Sequence, residues 1–174
     1  MQNLELKAIY PDLAQAHRLA LSIGAVFTWT KTQRDTYWCT ENGRLKLRQQ
    51  DNEAAQLIAY QRPNERGARI SHYLIYSTDQ AEQLFAVLQQ VIPIEVSVTK
   101  ERTLYLWKNV RIHLDEVEHL GSFIEFEAQI NNVYPETICH EFINFLIDHF
   151  QISSNQLSAV GYAEMLKNKG IRWC

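Results

Sequence analysis

Apolar and polar positions alternate with a period of two over residues 2–9. Leu4, Leu6 and Ala8 take one side and Asn3, Glu5 and Lys7 the other, which predicts a strand. Pro11 and Asp12 then open a stretch in which Leu13, Ala16, Leu19, Ala20 and Ile23 recur at helical spacing up to Gly24, predicting a helix. From 25 to 48 the chain is rich in Thr, Trp, Tyr, Val and Phe around Asn42-Gly43, a strong hairpin signal, so two paired strands are expected. Two more strands are predicted at 57–62 and 69–76, across the turn-forming segment 63–67. A helix over 78–91 would be capped by Ser77 or Thr78 and turn Leu84, Phe85 and Leu88 inward. Long strands follow at 94–107, 110–118 and 122–131. Pro135 starts a helix carrying Ile138, Phe142, Phe145, Leu146 and His149, and a short helix covers 162–168.

Eight strands joined mostly by short hairpins imply antiparallel pairing. One parity of these strands is plainly apolar and suits a layer of helices, whereas the other is charged and aromatic. A closed barrel with a polar lumen and helices packed outside accommodates both, giving an α+β fold of one domain over residues 1–174. Charged alternate positions on a single strand usually mark a solvated face, but the pattern here repeats on six strands.

The stretch 111–127 sharpens this picture. Arg111, His113 and Asp115 share one side of the first strand, and after a turn at Leu120-Gly121, Glu125 and Glu127 share one side of the second. By the same alternation Glu5, Lys7, Arg44, Lys46, Arg48, Tyr60, Arg62, Arg69, Ser71, Tyr73, Lys100 and Arg102 point inward, with Val96 and Val98 on the parity of Lys100. Buried unpaired charge is costly, so these groups need counter-charges or a ligand. More cations than carboxylates suits a polyanion, and clustered carboxylates beside them suit a hard divalent cation, Mg²⁺ or Mn²⁺, bridging to it. A chain of phosphates satisfies both. His113 reads as a supporting histidine outside the metal set, and Tyr37, Tyr60 and Tyr73 as wall packing.

The net charge of −3 argues against a general nucleic-acid coat, so any anion site is local. Cys39, Cys139 and Cys174 are far apart with no C-x-x-C, which fits reduced thiols and makes zinc unlikely to be the metal. No apolar run reaches membrane-spanning length and the first residues lack the features of an export signal, so the chain is expected to be cytoplasmic, with no membrane partner. Neither a G-x-x-x-x-G-K-[ST] nor a G-x-G-x-x-G loop occurs, H-E-x-x-H fails because Asn144 follows His140 by four, and no G-x-S-x-G supports acyl transfer.

These residues resemble the CYTH superfamily, the triphosphate tunnel metalloenzymes. Asn3-Leu-Glu5-Leu-Lys7 stands where the family has E-x-E-x-K, Leu45-Lys46-Leu47-Arg48 where it has L-[KR]-[LI]-R, and Lys100-Glu101-Arg102 where it has K-x-R. The segment 113–127 and Gln33-Arg-Asp-Thr-Tyr37 look most like the class IV adenylate cyclase branch, and the resemblance runs from about Asn3 to Tyr162. It implies an eight-stranded antiparallel triphosphate tunnel in which Glu5, Asp115, Glu125 and Glu127 hold one or two divalent metals. Lys7, Lys46, Arg48, Arg62, Lys100, Arg102 and Arg111 would bind the phosphates, Lys7, Lys46 and Arg48 acting in catalysis. The implied reaction converts ATP to cyclic AMP and pyrophosphate; the alternatives are hydrolysis of tripolyphosphate, thiamine triphosphate or a nucleoside triphosphate, or triphosphate binding without turnover. Asn3 motivates the last, because an amide oxygen ligates a hard metal less strongly than the motif's first carboxylate. RNA 5′-triphosphate processing ranks below these, and the oligomeric state stays open, a homodimer included.

Overall fold

The structure, a computed structural model, describes residues 1–172. Eight strands form the barrel: β1 (Gln2–Ile9), β2 (Val26–Trp38), β3 (Arg44–Gln50), β4 (Ala55–Gln61), β5 (Arg69–Thr78), β6 (Ile94–Trp107), β7 (Val110–Val117) and β8 (Gly121–Gln129). Four helices accompany them: α1 (Leu13–Ser22), α2 (Ala81–Val91), α3 (Glu136–His149) and α4 (Tyr162–Asn168), with a 3-10 turn at Ser154–Gln156. The strand order is β1-β5-β4-β3-β2-β6-β7-β8, and β8 closes on β1 with Glu5 opposite Glu127 and Lys7 opposite Glu125. Every pairing is antiparallel.

Local chemistry sets the joints. Asp12 caps α1 by accepting from the Gln15 amide at 2.8 Å. Gly43, at φ +73, turns the chain into β3, and a Cβ there would come within 3.0 Å of the Tyr60 carbonyl, so both the torsion and the space favour glycine. The expected start of the second helix shifts, because Ser77 and Thr78 belong to β5, where Thr78 pairs with Ala55. A β-branched residue engaged in a ladder stays extended, and α2 begins at Ala81, with Thr78 Oγ1 accepting from the Gln80 amide instead.

The outward parity carries the apolar core. Leu4, Leu6, Ala8, Ile112, Leu114, Ile124, Phe126 and Ala128 are buried under α1 and α3 with Ala16, Ala20, Ile143, Leu146 and Phe150. Trp38, Leu47 and Ala55 are buried under Leu84, Phe85 and Leu88 of α2. A third cluster lies inside the barrel: Tyr37, Val96, Val98, Val117 and Phe123 point inward and pack on Tyr162, Ala163 and Leu166 of α4. Helix α4 therefore stops one end with hydrocarbon, held by Lys167 to Glu95 at 2.6 Å and by Lys169 Nζ to the His119 carbonyl at 2.8 Å. The lumen remains polar beyond this apolar end. Among the described residues no helix is long and apolar enough to cross a membrane, and Cys174 lies outside them.

Candidate active site in the barrel lumen

Inward parity delivers charged side chains from five strands, with Glu53 and Arg62 from the connections on either side of β4, to a single cavity of about 360 Å³. Strand β1 presents Glu5 and Lys7, β3 Lys46 and Arg48, β6 Lys100 and Arg102, β7 Arg111 and His113, and β8 Glu125 and Glu127, while Arg62 follows β4. Strand β5 adds Ser71, Tyr73 and Ile75, and β2 adds Trp29, Gln33 and Tyr37. Seven cations line this space against four carboxylates, Glu5, Glu53, Glu125 and Glu127. The local field is thus positive in a chain of net charge −3.

Exposure grades the cations by depth. The side chains of Lys7, Lys100, Arg102 and Arg62 are 3, 2, 6 and 5% exposed, whereas Arg111 is 39% exposed at the open end beside Glu127. Tyr162 stands over the stopped end, its ring centroid 3.5 Å from Lys7 Nζ and its hydroxyl donating to Asp115 at 2.7 Å.

Each carboxylate holds a cation or donor of the protein. Glu5 accepts from Arg62 at 3.0 Å, and Glu125 from Arg102 at 2.7 Å with Lys7 at 3.2 Å. Asn3 donates to Glu127 at 2.6 Å, with Arg111 and His113 each at 3.3 Å from the same carboxylate. Asn3 thus faces the group that a first motif carboxylate would repel, and its own Oδ1 accepts from Tyr73 at 3.3 Å.

Not every inward cation reaches the lumen. Arg69 Nη1 donates to the carbonyls of Glu65, Gly67 and Ser158, and Arg44 to that of Arg62, so both secure backbone instead. Asp115 lies behind the cavity wall at 0% exposure, both oxygens taken by Arg102 at 2.6 Å. With Tyr162 donating as well, Asp115 as it stands has little left for a metal, contrary to the expectation that it joins the ligand set. Alternation also missed Asp35, whose carboxylate takes Arg48 and Lys46, and Tyr162, which no sequence pattern connects to the strands. Asp35 was within reach, since Gln33, Asp35 and Tyr37 share a parity and Asp35 pairs with Arg48 in the ladder.

Burial and the neighbouring charges pull against each other throughout the lumen. Burial, and then the charges of Glu127 and Glu125, raise the pKa of Glu5 against the pull of Arg62. Burial alone would raise Glu125, yet Lys7 and Arg102 overcome it and hold it well below the usual carboxylate range. Burial lowers Lys7 to about 8 and, with the help of Arg102, lowers Lys100 to about 7. A bound polyanion favours the charged ammonium, so anion binding takes up protons where Lys100 is otherwise partly neutral. Triphosphate affinity is expected to fall as pH rises from 7 to 9. Calorimetry in buffers of different ionisation heat checks this, and no proton uptake at pH 8 would contradict it.

A family model described as the CYTH domain matches residues 1–133. The chain belongs to the CYTH family. The closed eight-stranded barrel is shared with solved structures of similar shape. The PH1012 protein from Pyrococcus horikoshii OT3 superposes with a TM-score of 0.81 at 19% identity, covering 93% of this chain and 98% of that one. A "putative adenylate cyclase" from Vibrio parahaemolyticus gives 0.77 at 15% identity, over 95% and 97%. A protein from Hippeastrum gives 0.60 at 15% identity, over 98% and 96%. No curated protein matches the chain.

Membership of the CYTH family implies dependence on a divalent metal. The donor chemistry fits at Glu5, Glu125 and Glu127: all are hard oxygen donors, and the other two raise the pKa of Glu5, a repulsion that a cation between them relieves. Among the described residues no three such side chains stand close enough to hold an ion as they are. Holding an ion there would require Glu5, Glu125 and Glu127 to draw together.

Proposed function

We propose that this protein is a divalent-metal-dependent enzyme acting on the phosphoanhydride of a triphosphate, with ATP cyclised to cyclic AMP and pyrophosphate as the first reading. The observation that carries it is the lumen itself, where seven cations face an acidic group of Glu5, Glu125 and Glu127 inside a closed barrel. Surface salt bridges contribute little, but these groups are desolvated and fixed, the condition under which charge stabilises a phosphoryl transition state.

The stopped end gives the substrate a direction. Phosphates enter first toward Lys7, Lys100, Arg102 and Arg62, which are the deepest cations, and the organic head stays at the mouth beside Trp29, Tyr73, Ile75 and Leu104. Lys46 and Arg48 grip the phosphates beside Lys100, with which they share Asp35, and Arg111 does so nearer the opening. Catalytic work falls to Lys7, Lys46 and Arg48 as they neutralise charge that develops on the phosphate oxygens. Bound at Glu5, Glu125 and Glu127, Mg²⁺ or Mn²⁺ would supply Lewis-acid polarisation of those oxygens. Packing of Tyr162 and Phe123 at 5.0 Å keeps bulk water from the deep end, where the terminal phosphate sits. That arrangement favours attack by the ribose 3′-hydroxyl on the α-phosphorus near the mouth over hydrolysis at the terminal one.

Hydrolysis of an organic or inorganic triphosphate is the second reading. Two observations favour it: the mouth is open to water at Arg111, and the Hippeastrum relative is described as having a dominant triphosphatase activity. Incubation with ATP, tripolyphosphate and thiamine triphosphate, with Mn²⁺ or Mg²⁺, separates the readings. Cyclic AMP plus pyrophosphate from ATP is the expected outcome, abolished by a chelator and restored by metal. Orthophosphate released together with the matching diphosphate (ADP, pyrophosphate or thiamine diphosphate), without cyclic AMP, would move the assignment to hydrolysis, and no turnover of any of the three would refute the enzyme.

A further inference from the structure

Asp35, like Asp115, does not line the cavity, yet it holds three side chains that do. Its side chain is 1% exposed. Arg48 donates to both its oxygens at 2.8 Å, Lys46 Nζ donates at 2.9 Å, and Lys100 Nζ lies at 3.5 Å. Lys46 and Arg48 come from β3 and Lys100 from β6, the two neighbours of β2 in the barrel. One carboxylate on the strand between them therefore ties two walls of the lumen together.

We infer that Asp35 is a positioning residue that sets the spacing of the cations gripping the phosphates, a role that rests on the triphosphate reading above. The donor count supports it. The bidentate contact uses Nε and Nη2 of Arg48 and leaves Nη1, while each lysine uses one of its three N–H groups on Asp35 and keeps the others for a ligand. Long flexible side chains of like charge would otherwise spread apart, and Asp35 fixes them before the ligand arrives. Negative charge behind the cations also weakens their raw attraction for a polyanion, so Asp35 serves geometry at the expense of binding strength.

This predicts a separation that a mere structural counter-charge would not produce. In Asp35→Asn, KM for the triphosphate is expected to stay the same or fall, because the lumen becomes more positive, while kcat falls about 100-fold as the cations lose their register. Asp35→Glu keeps the charge but moves it by one methylene, and is expected to lose at least about tenfold in kcat while still folding, with a melting temperature lower by a few degrees. The variants are compared with the wild type on ATP with Mn²⁺, counting only folded protein. A kcat within twofold of wild type in folded Asp35→Asn overturns the inference, as does a wild-type kcat in Asp35→Glu should the asparagine variant not fold. If the wild type binds triphosphates without turnover, the enzyme reading fails separately. The inference is then read by calorimetry: the preference for tripolyphosphate over pyrophosphate should fall at least about tenfold in the variant, and an unchanged preference refutes it. No binding of either phosphate by the wild type refutes both proposals.

Discussion

Replacing Glu125 by glutamine is expected to lower metal-dependent turnover by about 10³-fold while leaving a folded barrel. Glu125 sits where the acidic and basic halves of the lumen meet, 3.2 Å from Lys7 and 2.7 Å from Arg102. An amide of the same shape keeps an acceptor for those donors but removes the charge that a hard divalent ion requires, and loss of a single fixed electrostatic contact at a reacting centre costs about 10²–10³-fold. The stability cost should be modest, on the order of 1–3 kcal/mol, because Arg102 retains Asp115 and Lys7 retains the Tyr162 ring. Turnover against metal concentration, alongside a melting curve, measures both effects. An unchanged rate at saturating metal would show that Glu125 is no ligand.

The second large effect is on stability. Arg102→Met leaves Asp115 buried at 0% exposure without its bidentate partner, with Tyr162 as its remaining close donor. Removing one member of a buried pair costs roughly 3–5 kcal/mol, so urea unfolding should show a loss of that order, and the melting temperature should drop by on the order of 10 °C. Exchanging both partners, Arg102→Met with Asp115→Leu, should recover much of the loss, since an uncompensated charge costs more than a removed pair. A double variant less stable than the single one would contradict this account of Asp115.

The barrel was legible because period-two alternation is a local signal and repeats on nearly every strand. Glu5 and Lys7 alternate with Leu4 and Leu6, and Lys100 and Arg102 share a parity, so the inward set could be written down without knowing strand order. What alternation cannot say is how deep a residue lies along the axis. Val96 and Val98 share the parity of Lys100, yet they sit at the stopped end and pack on Leu166, while Lys100 faces the cavity. Nor does parity tell which neighbour claims a charge: Arg44 and Arg69 face inward but bind carbonyls, Arg69 those of Glu65 and Gly67 just before it as well as that of Ser158 far along the chain. Tyr162 is the extreme case. It belongs to a short helix following all the strands, and its place over Lys7 and Asp115 is a product of closure.

The central claim is that a cation and a phosphate chain share this lumen. Diffraction from crystals soaked with Mn²⁺ and a non-hydrolysable triphosphate tests it most directly. The account predicts an anomalous manganese peak among Glu5, Glu125 and Glu127, with these three drawn together and the phosphates held by Lys7, Lys100 and Arg102. A ligand bound on the outer surface of the barrel, or a lumen without manganese or phosphate under saturating conditions, would contradict it.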